Sequence, residues 1–192
     1  MARSEASHES RTTPLALDLW TAGAPELDAR IAGWLTEPDP LSACLRPLAG
    51  GEITLRIVQQ GLATLSAEQR LLLGVEAESC FVREIELFAR REPWVFAQAL
   101  IPDATLESHP WLAELGDSPL EQTLGALTGV SRSAFEYADL PPAHPLAARA
   151  QRDVPRDAQV TLPARRSTLA VRGHALLLQE VFLPALLATA VA

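Results

Sequence analysis

His174-Ala-Leu-Leu-Leu-Gln-Glu-Val-Phe-Leu-Pro184 is the most apolar run of the chain, and it carries a single acidic residue. Read with the two-residue period of a strand, it puts Leu176, Leu178, Glu180 and Phe182 on one face. A carboxylate among leucines is costly to bury unless a partner or a ligand satisfies it. A matching anomaly lies upstream in Phe81-Val-Arg-Glu-Ile-Glu-Leu87, where Phe81, Arg83, Ile85 and Leu87 share one face and Glu84 and Glu86 the other. The chain therefore offers one cation and one anion on the apolar faces of two predicted strands. Three arrangements fit this pattern: a structural salt bridge in the core, a strand phase shifted so that both are exposed, or a pocket. In the pocket, Arg83 fixes a substrate carboxylate and Glu180 faces the opposite end. Arginine suits that task because its planar fork binds carboxylate bidentately and keeps its charge.

Working outward, Gly173-His174 separates a strand over Arg165–Arg172 from one over Ala175–Leu183, which predicts a hairpin. A second hairpin is expected from Cys80–Ala89 and Trp94–Ile101, joined by Arg90-Arg-Glu-Pro93. Ile53, Leu55 and Ile57 alternate in a further strand over Glu52–Val58, after Gly50-Gly51. Leu27, Ile31, Trp34 and Leu35 mark a helix over Pro25–Thr36, ended by Glu37-Pro-Asp-Pro40. Ser66-Ala-Glu-Gln69 reads as a capping box that opens a helix through Leu73. Leu106–Leu115 is expected to be helical, with Gly116 ending it. Hairpins with interspersed helices, and no alternating βαβ pattern, give an α+β fold with an antiparallel sheet.

The domain reading is a single domain at 25–192 preceded by a flexible extension at 1–24, of which residues 1–13 are expected to be disordered. Residues 138–163 are proline-rich and read as an irregular surface excursion. At 192 residues the chain is one domain with room for a sizeable core. Its net charge of −8 and scattered arginines argue against a nucleic-acid surface, which needs a basic patch. Cys44 and Cys80 are far apart and lack CxxC spacing, which fits a reducing, cytoplasmic setting. The polar start contains no apolar signal core. Gln179, Glu180 and Pro184 interrupt the apolar C-terminal stretch, so no membrane span is expected. His8, His109, His144 and His174 have no metal-ligand spacing, and no phosphate loop or hydrolase elbow appears.

Two other sites bear on function. Ser118-Pro-Leu-Glu121 reads as a helix start with Ser118 as N-cap, Pro119 as the first helical residue and Glu121 as the reciprocal partner. It is either an ordinary capping box or an anion site served by the Leu120 N–H. In Arg165-Arg-Ser167, Arg165 shares the inward phase of Ser167, Leu169 and Val171, and Arg166 points away; the alternative is a solvated strand end.

Taken together, these segments resemble the bacterial chorismate pyruvate-lyase family. The likeness rests on Pro25-Glu-Leu-Asp28 with Trp34-Leu35, Val82-Arg-Glu-Ile85 with Glu92-Pro-Trp94, and Leu115-Gly116 with Ser118-Pro-Leu120. Arg165-Arg-Ser167 and Leu176-Leu-Leu-Gln-Glu-Val-Phe-Leu-Pro184 complete it, so that it spans residues 25–184 in order. The resemblance implies about six antiparallel strands with helical flaps over a buried ligand cavity. It implies conversion of chorismate to 4-hydroxybenzoate and pyruvate for ubiquinone synthesis, by a monomer with neither metal nor organic cofactor. By position, Arg83 would bind the ring carboxylate with help from the Leu120 N–H, Glu180 would meet the ring hydroxyl, and Leu41 would add a backbone contact near it. Arg165 is a candidate for the second carboxylate of the substrate. The extension and the 138–163 excursion are longer than the resemblance leads one to expect. The fold also resembles effector-binding domains of certain transcription regulators, which bind small molecules without transforming them; the residues before Pro25 are too few for the DNA-binding domain of such a regulator.

Overall fold

A computed structural model describes residues 19–23 and 29–189; for residues 29–32 only the backbone is described. Residues 24–28, and with them the Pro25–Asp28 start expected for the first helix, lie outside the described residues, as do residues 1–18. The chain forms a seven-stranded, wholly antiparallel sheet: β1 Thr54–Thr64, β2 Ser79–Ala89, β3 Glu92–Ile101, β4 Val130–Arg132, β5 Glu136–Leu140, β6 Leu162–Val171 and β7 His174–Phe182. Their order is β1-β2-β3-β7-β6-β4, with β5 also paired to β6. Seven strands replace the six expected because β6 is long enough to pair with two short strands, β5 along Leu162–Arg166 and β4 along Leu169–Val171.

Both expected hairpins form, and each turns in two residues with positive φ, as the twist of a tight hairpin demands. The turns are Arg90 and Arg91 (52° and 70°) and Arg172 and Gly173 (49° and 88°), so His174 begins β7 instead of completing the turn. Helices fill the remaining connections. These are α1 Ala29–Thr36, α2 Leu41–Cys44, α3 Arg46–Ala49, α4 Ala67–Leu73, α5 Asp103–Ser108, α6 Leu120–Gly125, α7 Pro145–Ala150 and α8 Pro184–Thr189. The capping box of α4 is present: the Gln69 N–H donates to Ser66 Oγ and the Ser66 N–H to Gln69 Oε1. The single helix expected over Leu106–Leu115 is instead α5 and a 3₁₀ turn at Pro110–Ala113, because Pro110 has no N–H to continue α5. Among the described residues no helix is long and apolar enough to cross a membrane.

The apolar run at β7 is explained by burial on both of its faces. Leu176, Leu178 and Phe182 join Ile85, Leu87, Ala97 and Ala99 in one core, capped by Leu35, Leu41, Leu45 and Leu120 from the helices. On the reverse face Val181 packs with Phe96, Ala164, Leu146 and Ala147, and Leu177 with Val82, Leu100 and Leu73. A strand covered on both sides loses the simple alternation of a half-buried one.

The 138–163 segment is not the irregular surface excursion expected. It supplies the end of β5, then α7, whose Leu146, Ala147 and Ala150 are buried against the reverse face. Its arginines explain why it docks there. Glu84 and Glu86, both nearly inaccessible, point from β2 into this layer. Arg149 holds Glu84, with Nε 3.1 Å from Oε1, and Arg152 reaches Glu86 at 2.8 Å, where Arg56 of β1 also binds. Part of the 1–24 extension is likewise ordered onto the sheet: Thr21 exchanges two 2.8 Å backbone hydrogen bonds with Tyr137, and Trp20 is buried under the Arg166 guanidinium.

Removing one member of a buried ion pair leaves an uncompensated charge. Arg149→Ala is therefore expected to lower stability by about 2–4 kcal/mol, the lower end reflecting the partial exposure of the arginine. Adding Glu84→Gln to that variant should restore part of the loss. Urea unfolding of the three proteins checks this, and an Arg149→Ala protein as stable as the parent would show that the pair does not hold α7.

Candidate active site

The front face of the sheet carries every candidate charge in the phase expected from the sequence. Arg83 on β2 lies opposite Ala99 on β3, Ala97 lies opposite Glu180 on β7, and Glu180 lies opposite Arg165 on β6. Arg83 and Glu180 are thus two strands and two residues apart, about 12 Å between their Cα positions at ordinary strand spacing. They do not form the core salt bridge that was one of the three arrangements, and neither is exposed.

Between them the floor is Ala97 and Ala99, whose short side chains leave room that larger residues would fill. A cavity of about 20 Å³ opens there, lined by Arg83, Ile85, Ala97, Ala99, Leu120 and Leu178. That is little more than the space of one water, so Leu120 closes the cleft like a lid. A wider recess on the reverse face, about 270 Å³ between α4 and α7, is lined by groups already engaged: Gln69 with Gln179, and Arg149 with Glu84 beside the recess.

Arg83 has no carboxylate partner within ion-pair distance among the described residues. Its Nη1 donates to Gln60 Oε1 at 3.1 Å, and its Nη2 to the carbonyls of Gly116 at 2.7 Å and Ser118 at 3.3 Å. Burial lowers the Arg83 pKa, with Asp117 opposing it. A buried cation held only by neutral oxygens is an anion site in waiting.

The start of α6 differs from the capping box expected at Ser118-Pro-Leu-Glu121. Pro119 is the N-cap, with ψ 131° and no side-chain capping bond, and Leu120 is the first helical residue, not the second. The Ser118 carbonyl is turned onto Arg83, and Glu121 binds Arg132 instead of reaching back to the cap. The Leu120 N–H still belongs to a first turn, whose donors have no acceptors within the helix.

At the other end Arg165 Nε donates to Glu180 Oε2 at 2.6 Å. Its Nη1 donates to the carbonyls of Trp34, Leu35 and Glu37 at 3.3, 3.2 and 2.5 Å, and its Cζ lies 4.3 Å from the Phe135 ring centroid. Arg165 is fully buried, and Nη2 has no hydrogen-bond partner among the described residues. Burial works to lower the Arg165 pKa, but the adjacent Glu180 charge and hydrogen bond outweigh it, and the net direction is upward. Leu41, buried in α2, follows this tethered segment by four residues after Glu37. Arg166 takes the reverse face as expected, bound to Glu68 and Glu136.

Two residues that the sequence did not flag as site residues complete this end, Glu121 having been read only as a capping partner. Glu121 on α6 is paired with Arg132 on β4, whose Nη1 also donates to Ser167 Oγ at 2.7 Å. Burial first, and then the Glu180 charge, push the Glu121 carboxyl up to about 7, against the pull of Arg132 and Arg165. Only the position of Glu121, directly after Leu120, hinted at it; Arg132 lies in a three-residue strand with no periodic signal. Among the described residues no three His, Cys, Asp or Glu side chains stand together as metal ligands.

An open antiparallel sheet with a charged, alanine-floored cleft under short helices defines the class of the protein, an α+β domain. The architecture is shared with PhnF from Mycobacterium smegmatis, at a TM-score of 0.55 and 15% identity over 78% of this chain and 65% of that one. The effector domain of PhnF gives 0.52 and 15% over 77% and 90%. Within that fold, the chain matches the chorismate lyase family over residues 19–192 and belongs to it. It is 35% identical to a protein of Cupriavidus metallidurans named probable chorismate pyruvate-lyase, over 82% of this chain and 74% of that one. A Ralstonia nicotianae protein of the same name is 36% identical over 81% and 82%.

The two front-face arginines should respond differently to removal. Arg165→Met strands Glu180 and is expected to cost about 3–5 kcal/mol. Arg83→Met strands only neutral oxygens and relieves a buried charge, so the change should be about 1 kcal/mol in either direction. Thermal or urea unfolding decides, and the reverse order would refute the partner assignments. For Glu121, the folded pKa lies above the unfolded one, so the folded state holds the extra proton. Its stabilising contribution is present below about pH 4.5 and is lost as pH rises through about 7. Glu121→Gln should therefore flatten the stability profile between pH 5 and 8.

Proposed function

We propose that this chain is a lyase that converts chorismate to 4-hydroxybenzoate and pyruvate, working as a cytoplasmic monomer in ubiquinone synthesis. The observation that carries the reading is Arg83, a buried cation with only neutral acceptors, at one end of a cleft whose far end is Glu180. Membership of the chorismate lyase family supports it. In this reading the ring carboxylate docks on Arg83 and on the Leu120 N–H, displacing bonds to Gln60 or the 116–118 loop. Glu180, held by Arg165, meets the ring hydroxyl, with the backbone near Leu41 beside it.

The chemistry asks little of a cofactor. The C4–H bonding pair becomes the third double bond of the ring, the C3–O pair leaves with enolpyruvate, and the enolpyruvate methylene takes up a proton to give pyruvate. Aromatisation supplies much of the driving force, which belongs to the substrate. The protein orients the substrate, excludes water and assists one proton transfer. Because the cleft is nearly shut, α6 must lift to admit the ring and close over it.

Purified protein given chorismate should release pyruvate and 4-hydroxybenzoate in equal amounts. Pyruvate without 4-hydroxybenzoate would indicate a different aromatic product. Neither product, with 4-hydroxybenzoate still bound in calorimetry, would make the chain a binding protein like the effector domains of its fold. Glu180→Gln should fold and lose about 10²-fold or more in turnover, the usual scale for a general acid–base group. Arg83→Met should no longer bind 4-hydroxybenzoate; unchanged affinity would sink the carboxylate role.

A further inference from the structure

The proposed substrate carries two carboxylates, whereas the proposed aromatic product carries one. Arg83 accounts for the carboxylate the two share. The other has two candidate receivers, Arg165 and Arg132, and the structure separates them. Arg165 is fully buried, its Nε is committed to Glu180 and its Nη1 to three carbonyls; its Nη2, without a partner among the described residues, is itself closed off from solvent, and its charge is already matched by Glu180. Arg132 is reachable. Its side chain is 21% exposed and borders an open groove of about 320 Å³, together with Pro38, Asp39, Glu121 and Leu169. It also reaches inward, since its hydrogen bond to Ser167 places the guanidinium over β6, two residues from Arg165 and opposite Leu178. That is the side of the cleft next to Glu180, away from Arg83. In chorismate the enolpyruvyl group is attached beside the hydroxyl-bearing carbon, so its carboxylate falls on the same side.

The partner of Arg132 is itself a carboxylate on α6, the helix that has to lift to admit a ligand. Glu121 follows the lid residue Leu120 on a helix of six residues, so lifting the lid also withdraws Glu121 from Arg132. We propose, building on the lyase reading, that Arg132 receives the enolpyruvyl carboxylate of chorismate and that Glu121 occupies this place until the substrate displaces it. Glu121 is then an internal competitor for the substrate. The charged and titratable groups around it are Arg132 on β4, Arg165 on β6, Glu180 on β7, and Glu37, Asp39 and Cys44 before and within α2. As pH rises through about 7, Glu121 takes on charge and competes more strongly.

The test compares substrate with product in the full-length chain. Arg132→Met, made with Glu121→Gln so that no carboxylate is stranded, should raise KM for chorismate about 10- to 100-fold, the worth of a charged hydrogen bond. Inhibition by 4-hydroxybenzoate should stay within about twofold of the parent on the same scale, and Arg132→Lys should recover part of the loss. Glu121→Gln alone should lower KM at pH 8 and leave it little changed at pH 6. A merely structural pair would instead weaken substrate and product alike, and that result overturns the proposal. So does an unchanged chorismate KM in the Arg132 variant while the parent turns over. No turnover by the parent protein would remove the lyase reading itself, and the assignment of Arg132 with it.

Discussion

The Arg165–Glu180 pair is the constraint around which the rest is arranged. Both members are nearly inaccessible, and taking two charges out of water costs several kcal/mol each before their attraction is counted. The cost is tolerable only because the geometry is complete. The two residues stand directly opposite each other across β6 and β7, and three carbonyls from the end of α1 and the following loop take up Nη1. A one-residue slip of either strand would send one charge to the reverse face, among Phe96, Val181 and Ala164. The pair therefore fixes the register of the central hairpin and at the same time ties the N-terminal helices over the sheet.

The two faces of the sheet handle buried charge in opposite ways. On the reverse face Glu84, Glu86 and Arg166 are neutralised by side chains from β1, α4, β5 and the 145–152 region, so that layer is a closed electrostatic unit. On the front face neutralisation stops short among the described residues: Arg83 meets only neutral oxygens, and Arg165 keeps one buried donor without an acceptor. Among the buried charges borne by the sheet itself, the one left without an opposite charge is Arg83, beside two alanines, which is where the proposed ligand would contribute what the protein does not.

This division explains what the sequence made legible. The phases of β2, β6 and β7 were readable because Arg83, Arg165 and Glu180 each interrupt an apolar face with period two, and the family likeness attached roles to them. The Ser66 and Gln69 cap was readable because its partners are three residues apart. The role of 138–163 was hidden because its value lies in long-range pairs: Arg149 meets Glu84 across 65 positions, and nothing local announces it. Ser118-Pro-Leu-Glu121 misled for a related reason. Its local capping chemistry is sound, but Arg83 captures the Ser118 carbonyl and Arg132 captures Glu121, and these tertiary charges outweigh a cap worth about 1 kcal/mol.

The diverted cap also bears on how the cleft works. A capping box would anchor α6 to its own first turn and leave the helix indifferent to what lies beneath it. Instead its two ends of attachment are the arginines of the cleft: the loop before it rests on Arg83, and its first turn rests on Arg132. In the proposed reading, an anion that takes over either arginine loosens the same helix that closes the cavity. A dianion able to reach both does so at once, and its own carboxylates then replace the bonds that held the lid. Coupling the lid to the ligand's charges in this way would let a nearly closed cavity open for the ligands that can satisfy it.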